Sequence, residues 1–178
     1  YILRRPPFGA KVKSAHDMGR EFRMLSHLRP VFPAVPKPLL YCEDAEVIGA
    51  PFYLMERVEG VILRAGMPKN EYPDTETMEG VARSFVENLA QMHSLDLDKS
   101  GLADLGKPEG YAQRQVGGWT KRYGGSRTHD IEDMTFTGDW LLANIPDSGA
   151  PALIHNDYKY DNLVLDPEDI TRIKAVLD

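Results

Sequence analysis

The chain has 178 residues, 42% apolar and 27% charged, and a formal net charge of −6. That composition is ordinary for a globular protein with room for a real core, in one domain or two small lobes. It excludes a membrane span, because the longest apolar runs are as short as Pro38–Cys42. It also excludes a broad basic face of the kind nucleic acid requires.

No basic segment followed by an apolar stretch marks a secretory signal at the N-terminus. Cys42 is the single cysteine, so an internal disulfide and a cysteine zinc cluster are both ruled out. A reducing compartment, the cytoplasm or an equivalent, is expected, with Cys42 a small apolar strand residue. Residues 1–30 hold seven basic and two acidic side chains, net +5, which leaves −11 for the remainder. A basic first segment suits a polyphosphate and an acidic remainder suits a cationic metal or substrate. Two differently solvated surfaces would give the same numbers.

In chain order, Tyr1–Arg5 reads as a strand ended by Pro6, Pro7 and Gly9. A helix follows over Ala15–Leu28, with Ser14 as its cap and Asp17 in its first turn. Met18, Phe22, Leu25 and Leu28 share one arc of that helix. Residues 29–38 contain four prolines and should be extended linker. Strands are expected at Leu39–Glu43 and Phe52–Glu56, with Gly49, Ala50 and Pro51 between them. The longest helix should run from Thr75 to Ser94, where Met78, Val81, Ala82, Phe85, Leu89 and Met92 recur at three- and four-residue steps. Helices at Tyr111–Tyr123 and Ile131–Ile145 follow, the first weakened by its paired glycines. The last part returns to strands at Ala152–Ile154, Leu163–Leu165 and Arg172–Leu177. This is an α+β order with a lobe boundary near Gly60. Both ends begin and stop inside apolar runs, so a piece of a longer protein is expected.

The informative stretch is 153–166. An apolar strand delivers a polar loop holding His155, Asp157 and Asn162, another apolar strand leaves it, and Asp178 closes a third. Phosphoryl transfer from ATP needs this kind of set. A carboxylate must orient the attacking hydroxyl, and hard oxygen ligands must hold Mg2+ beside the phosphates. Asp157 suits the first task, while Asn162 and Asp178 suit the second. Taken alone, an H-x-D loop is also compatible with a metal site or a structural polar loop.

His155-x-Asp157-x4-Asn162 followed by an Asp at a strand end resembles the signature of the aminoglycoside phosphotransferase family. That family has the protein-kinase-like fold, whose corresponding motif is H-R-D-x4-N. The stretch is especially similar to phosphotransferase domains fused to acyl-CoA dehydrogenases and to their free-standing bacterial relatives. The resemblance implies Asp157 as base, Asn162 and Asp178 as Mg2+ ligands, and ATP as phosphoryl donor to a small-molecule hydroxyl. It also implies a partial N-terminal nucleotide-binding lobe over 1–59 and a partial C-terminal catalytic lobe over 60–178, without the first strands or the last helices. An acyl-CoA dehydrogenase as fused or associated partner follows from the same likeness. Two departures are visible: the family usually has Gly where Asn156 stands, and the turn Asp166–Thr171 is long.

His155 itself reads as a hydrogen-bonded residue beneath the loop. Lys159, two after the base, is placed to reach a γ-phosphate or to lie in solvent. Glu21 falls within the apolar arc of its helix, where a carboxylate is costly without a cation. The family's strand lysine contacts phosphates and pairs with a helix glutamate, and Arg4 and Glu21 align with those two positions. Guanidinium keeps the phosphate contact with a different reach; pairing of Glu21 with another arginine stays open. Residues 52–60 are similar to the family's interlobe hinge, which implies adenine contacts at the Glu56 carbonyl and Val58 amide, with Met55 lining the pocket. His93 reads as a helix-terminal or buried residue with a satisfied nitrogen, and Trp119 and Trp140 as core. A non-catalytic nucleotide-binding module and a metal-dependent hydrolase using His155 and Asp157 are the alternative functions.

Overall fold

The computed structural model describes residues 1–7, 17–147 and 149–177. Ser14, Ala15, His16 and Asp178 therefore lie outside the described residues.

The chain forms two compact units, one of residues 1–105 with 152–178, the other of residues 106–151. The division expected at Gly60 falls inside the first of them. That unit opens with β1 (Ile2–Arg4), α1 (Met18–Leu28), β2 (Pro38–Cys42) and β3 (Phe52–Met55). The three strands form an antiparallel sheet in the order β1-β3-β2, with Arg4 opposite Tyr53 and Tyr41 on Tyr53's other side. The central strand is the apolar one: Phe52 and Tyr53 are buried. Helix α1 begins at Asp17, whose side chain accepts the Arg20 N–H at 2.9 Å. Asp17 is thus the cap itself, because its short carboxylate reaches the third residue on.

The proline-bearing linker, expected to be extended, instead turns at residues 29–31 and bends at 34–35, because its carbonyls fold back around one side chain. The Arg29 guanidinium donates to the carbonyls of Pro33 and Val35. Ala34 O accepts the Val176 amide at 2.8 Å, and Lys37 O accepts the Glu56 amide at 2.8 Å. Phe32 and Val35 enter the core with Leu28, Leu63, Val81 and Met92.

Helix α2 (Thr75–His93) starts on an Asp74 cap that takes the Thr77 N–H at 2.8 Å. Its apolar stripe is as expected at Val81 and Met92, both buried, though Ala82 is exposed. His93 ends the helix on the surface. A short α3 (Leu97–Ser100), too brief for periodicity to reveal, follows on an Asp96 cap.

Strands β4 (Leu163–Leu165) and β5 (Ile173–Val176) pair antiparallel, and Leu163, Val164 and Leu165 are all buried. The long turn between them is tied internally. The Asp166 carboxylate accepts the Glu168 N–H and pairs with Arg172, while Asp169 takes the Thr171 N–H and hydroxyl. The chain after β3 is held against this hairpin by an isolated bridge, Val61 exchanging both backbone bonds with Leu165 at 2.9 and 2.7 Å. Gly60 permits that approach, since a Cβ there would lie 2.2 Å from the Leu165 carbonyl oxygen. The strand expected at Ala152–Ile154 does not form. Pro151 has no N–H to give, and these residues find no ladder partner among the described residues.

The second unit is a helical pair, α4 (Tyr111–Ser126) and α5 (Glu132–Ala143). Gly138 lets the two approach, with Thr120 Oγ1 3.1 Å from where its Cβ would be. The glycines of α4 shorten nothing: the helix outlasts the expected Tyr123. Trp119 and Trp140, expected in a core, are 62% and 54% exposed. A two-helix unit has one buried seam, and side chains off it stay on the surface. Trp119 instead stacks under the Arg122 guanidinium at 4.7 Å.

Candidate active site

The polar loop between residue 155 and β4 is shaped by Asn156, which has φ +67°. Asparagine is among the few side chains that tolerate this left-handed conformation, which explains how it stands where glycine is usual. The reversal brings the Asp157 amide to His155 Nδ1 at 3.3 Å, and His155 Nε2 lies 3.0 Å from the Leu177 carbonyl. These partners assign the tautomer: Nδ1 accepts and Nε2–H donates. His155 thus links the loop to the end of the β5 segment, beneath Asp157, as its sequence position suggested.

Asp157 is exposed, yet its carboxylate is held. Lys159 Nζ lies 2.8 Å from Oδ2 and Asn162 Nδ2 donates to the same oxygen at 3.1 Å. The hydrogen bond from Lys159, then that from Asn162, holds the carboxyl below the usual carboxylate range. Asn162 also donates to the Asp157 backbone carbonyl at 2.9 Å, and its own carbonyl accepts the Leu177 amide at 2.7 Å. With Nδ2 turned to Asp157, Asn162 Oδ1 is left as the acceptor end, a hard neutral oxygen of the kind Mg2+ takes. Lys159 therefore points to Asp157, and not simply into solvent. Asp178, the other expected metal ligand, lies outside the described residues.

Sequence reasoning assigned nothing to Tyr158, which anchors this loop. Its hydroxyl lies 3.1 Å from the Phe85 carbonyl and 3.0 Å from Asn88 Oδ1 on α2. Phe85 packs between Tyr158 and Tyr160, with ring centroids at 4.4 and 4.9 Å. Burial pushes the Tyr158 phenol up to about 12.

Beside the loop is a cavity of about 740 Å³ within the first unit. Arg4 of β1 and Glu21 of α1 line it, and Arg4 Nη2 lies 3.4 Å from Glu21 Oε2. Met55, Glu56 and Val58, the expected adenine contacts, line it from the end of β3 and the segment after it. Asn162, Val164 and Leu177 form a further part of its wall. The Glu56 amide is spent on Lys37 O, and its carboxylate accepts the Lys37 N–H at 3.2 Å with Arg29 3.9 Å away. Five residues expected to meet a nucleotide and one expected to hold metal are thus gathered from four separate stretches of chain. Tyr53 lines the same cavity and was not foreseen.

The model of the phosphotransferase enzyme family matches residues 1–178. Acyl-CoA dehydrogenase family member 11 of Rattus norvegicus is 42% identical over 181 residues, across all of this chain and 23% of its own length. The structure superposes on a Ralstonia eutropha protein assigned to the aminoglycoside phosphotransferases, with a TM-score of 0.80 and 36% identity, over 99% of this chain and 51% of that one. A macrolide 2'-phosphotransferase type I shares the fold at a TM-score of 0.64 and 20% identity, over 99% of this chain and 56% of its own. The chain thus spans about a quarter of the curated relative and half of the Ralstonia structure. With a match from end to end and a mixed helix-and-sheet fold in common, this chain belongs to the phosphotransferase enzyme family.

Proposed function

We propose that this chain is the nucleotide-binding and catalytic part of a small-molecule kinase that moves the γ-phosphoryl group of ATP to a substrate hydroxyl. The observation that carries it is the single cavity joining Arg4, Glu21, the Met55–Val58 segment and Asn162, with the Asp157 carboxylate hydrogen-bonded to Asn162 at its side. In this reading the lobes divide at Gly60. The adenine edge meets the Glu56 carbonyl and Val58 amide against Met55, while Arg4, oriented by Glu21, contacts the α- and β-phosphates.

Asp157 orients the acceptor hydroxyl and takes its proton on Oδ1, the oxygen that carries neither the Lys159 nor the Asn162 contact described above. The hydroxyl oxygen forms the new bond to the γ-phosphorus as the bond to the β,γ-bridging oxygen breaks, releasing ADP. A carboxylate held at low pKa is a weak base, which suits a loose transition state where the proton leaves late. Lys159 keeps that carboxylate ionised and is placed to meet the γ-phosphate as the hydroxyl approaches. Asn162 Oδ1 and Asp178 would hold Mg2+, which when bound supplies charge neutralisation at the phosphates. A hydrolase built on His155 is not favoured, because both of its ring nitrogens are committed to the backbone.

The acceptor is a hydroxylated acyl-CoA or acid, or an amino sugar, in a protein that works with an acyl-CoA dehydrogenase partner. A reducing intracellular setting fits the free Cys42. The test is Asp157→Asn in the full-length protein, with Mg·ATP binding by calorimetry and single-turnover transfer to a hydroxyl panel. Binding should be nearly unchanged while transfer falls at least about 100-fold. Full transfer by the variant would refute the assignment.

A further inference from the structure

Tyr53 sits at the middle of the central strand, opposite Arg4 on one side and Tyr41 on the other. It is 3% exposed, and its ring packs near Phe22 of α1 at 6.2 Å. Its hydroxyl does not end in the core. It reaches the cavity wall and donates to Glu21 Oε2 at 3.1 Å, the same oxygen that Arg4 Nη2 approaches at 3.4 Å. The phenol contact is the shorter of the two, and it comes from a side chain with two torsions fixed by burial. The arginine contact comes from a long side chain about one-third exposed.

This difference has a consequence for any anion that binds at Arg4. A guanidinium drawn toward phosphate relaxes its hold on Glu21, which lies within the apolar arc of α1 and pays for lost partners. A second, neutral donor that stays in place keeps the carboxylate where the guanidinium can still fork between it and the phosphates. Resting on the reading of Arg4 and Glu21 as the phosphate anchor, we propose that Tyr53 is a positioning residue for nucleotide: it fixes Glu21, and through Glu21 it presents Arg4 to the ATP phosphates. Burial, reinforced by the charge of Glu21, pushes the Tyr53 phenol up to about 12, so it remains a donor throughout the physiological range.

The experiment uses Tyr53→Phe in the full-length protein, which removes the hydroxyl and keeps the ring. Tyr41→Phe is the control, because Tyr41 stacks on the same Phe22 at 5.8 Å and belongs to the same sheet. Equilibrium Mg·ATP binding and steady-state kinetics are measured for both. Tyr53→Phe should raise the KM for ATP on the order of fivefold, the scale of one lost hydrogen bond, with kcat within about twofold. Tyr41→Phe should leave the KM unchanged, and in a Glu21→Ala background Tyr53→Phe should add nothing. An unchanged KM in Tyr53→Phe, or the same fold-increase with and without Glu21, overturns the proposal. If the wild type binds Mg·ATP and Tyr53→Phe binds it equally well, this inference alone falls. If the wild type does not bind Mg·ATP, the reading of the cavity falls with it.

Discussion

Lys159 and Asn162 approach one oxygen of Asp157 from two directions, one as a cation and the other as a neutral donor. Both partners stabilise the ionised carboxyl, so its pKa is depressed and the carboxylate persists to lower pH than usual. Replacing Lys159 by Met should therefore raise that pKa and move the acid limb of the kcat/KM profile to higher pH. Added salt should move the wild-type limb the same way, because the pair is exposed and screened. An acid limb indifferent to both changes would mean that the pair does not set the ionisation. The contact between Asp157 and Asn162 was legible in the sequence because their offset is short and fixed by one loop. Tyr158 was not: its partners Phe85 and Asn88 lie 73 and 70 positions away, and a tyrosine beside a motif looks like any core aromatic. Tyr53 was hidden for the same reason, as one more apolar residue in a strand.

At the level of elements, periodicity located the helices well and the strands according to whether they had partners. The long helix ends within a residue of expectation because its stripe is regular and an Asp precedes it. The run 152–154 has strand composition but no ladder to join among the described residues, and composition cannot report a missing neighbour. The bridge between Val61 and Leu165 was equally invisible, although it joins the segment after β3 to the β4–β5 hairpin. Gly60 makes it possible. Its added Cβ would meet the Leu165 carbonyl oxygen at 2.2 Å and Val164 Cγ1 at 2.6 Å, and the first of these is backbone that cannot rotate away. Gly60→Ala should lower stability by about 2 kcal/mol or more, because the added methyl must push the Leu165 backbone aside, and weaken ATP binding with it. Urea denaturation followed by circular dichroism would measure the first effect and calorimetry the second. A variant as stable as wild type would show that the bridge relaxes without cost.

On the scale of the whole chain, the α+β order and the cavity-forming elements could be read in advance, whereas the separate compactness of residues 106–151 could not. Helical periodicity there marks apolar faces but not which of them a two-helix unit leaves uncovered, hence the exposed Trp119, Phe136 and Trp140. The first unit, by contrast, holds a buried phenol, Tyr53, and a half-buried one, Tyr158, each hydrogen-bonded to another element. Tyr53 and Tyr158 are both pushed up to about 12 by burial, from an ordinary value of about 10 in the unfolded chain. The neutral, protonated form is thus the one the fold favours. Below about pH 10 both states are protonated and the stabilisation is fully present. Between about pH 10 and about pH 12 the unfolded chain loses these protons while the folded one keeps them, so stability falls as pH rises. Tyr53→Phe and Tyr158→Phe should each flatten that alkaline decline while lowering stability at neutral pH, since each gives up a hydrogen bond. Urea melts across the alkaline range, with tyrosinate absorbance recorded in parallel, would follow both. An alkaline decline of the same steepness in the double variant would show that other groups drive it and that the two hydroxyls are not linked to folding.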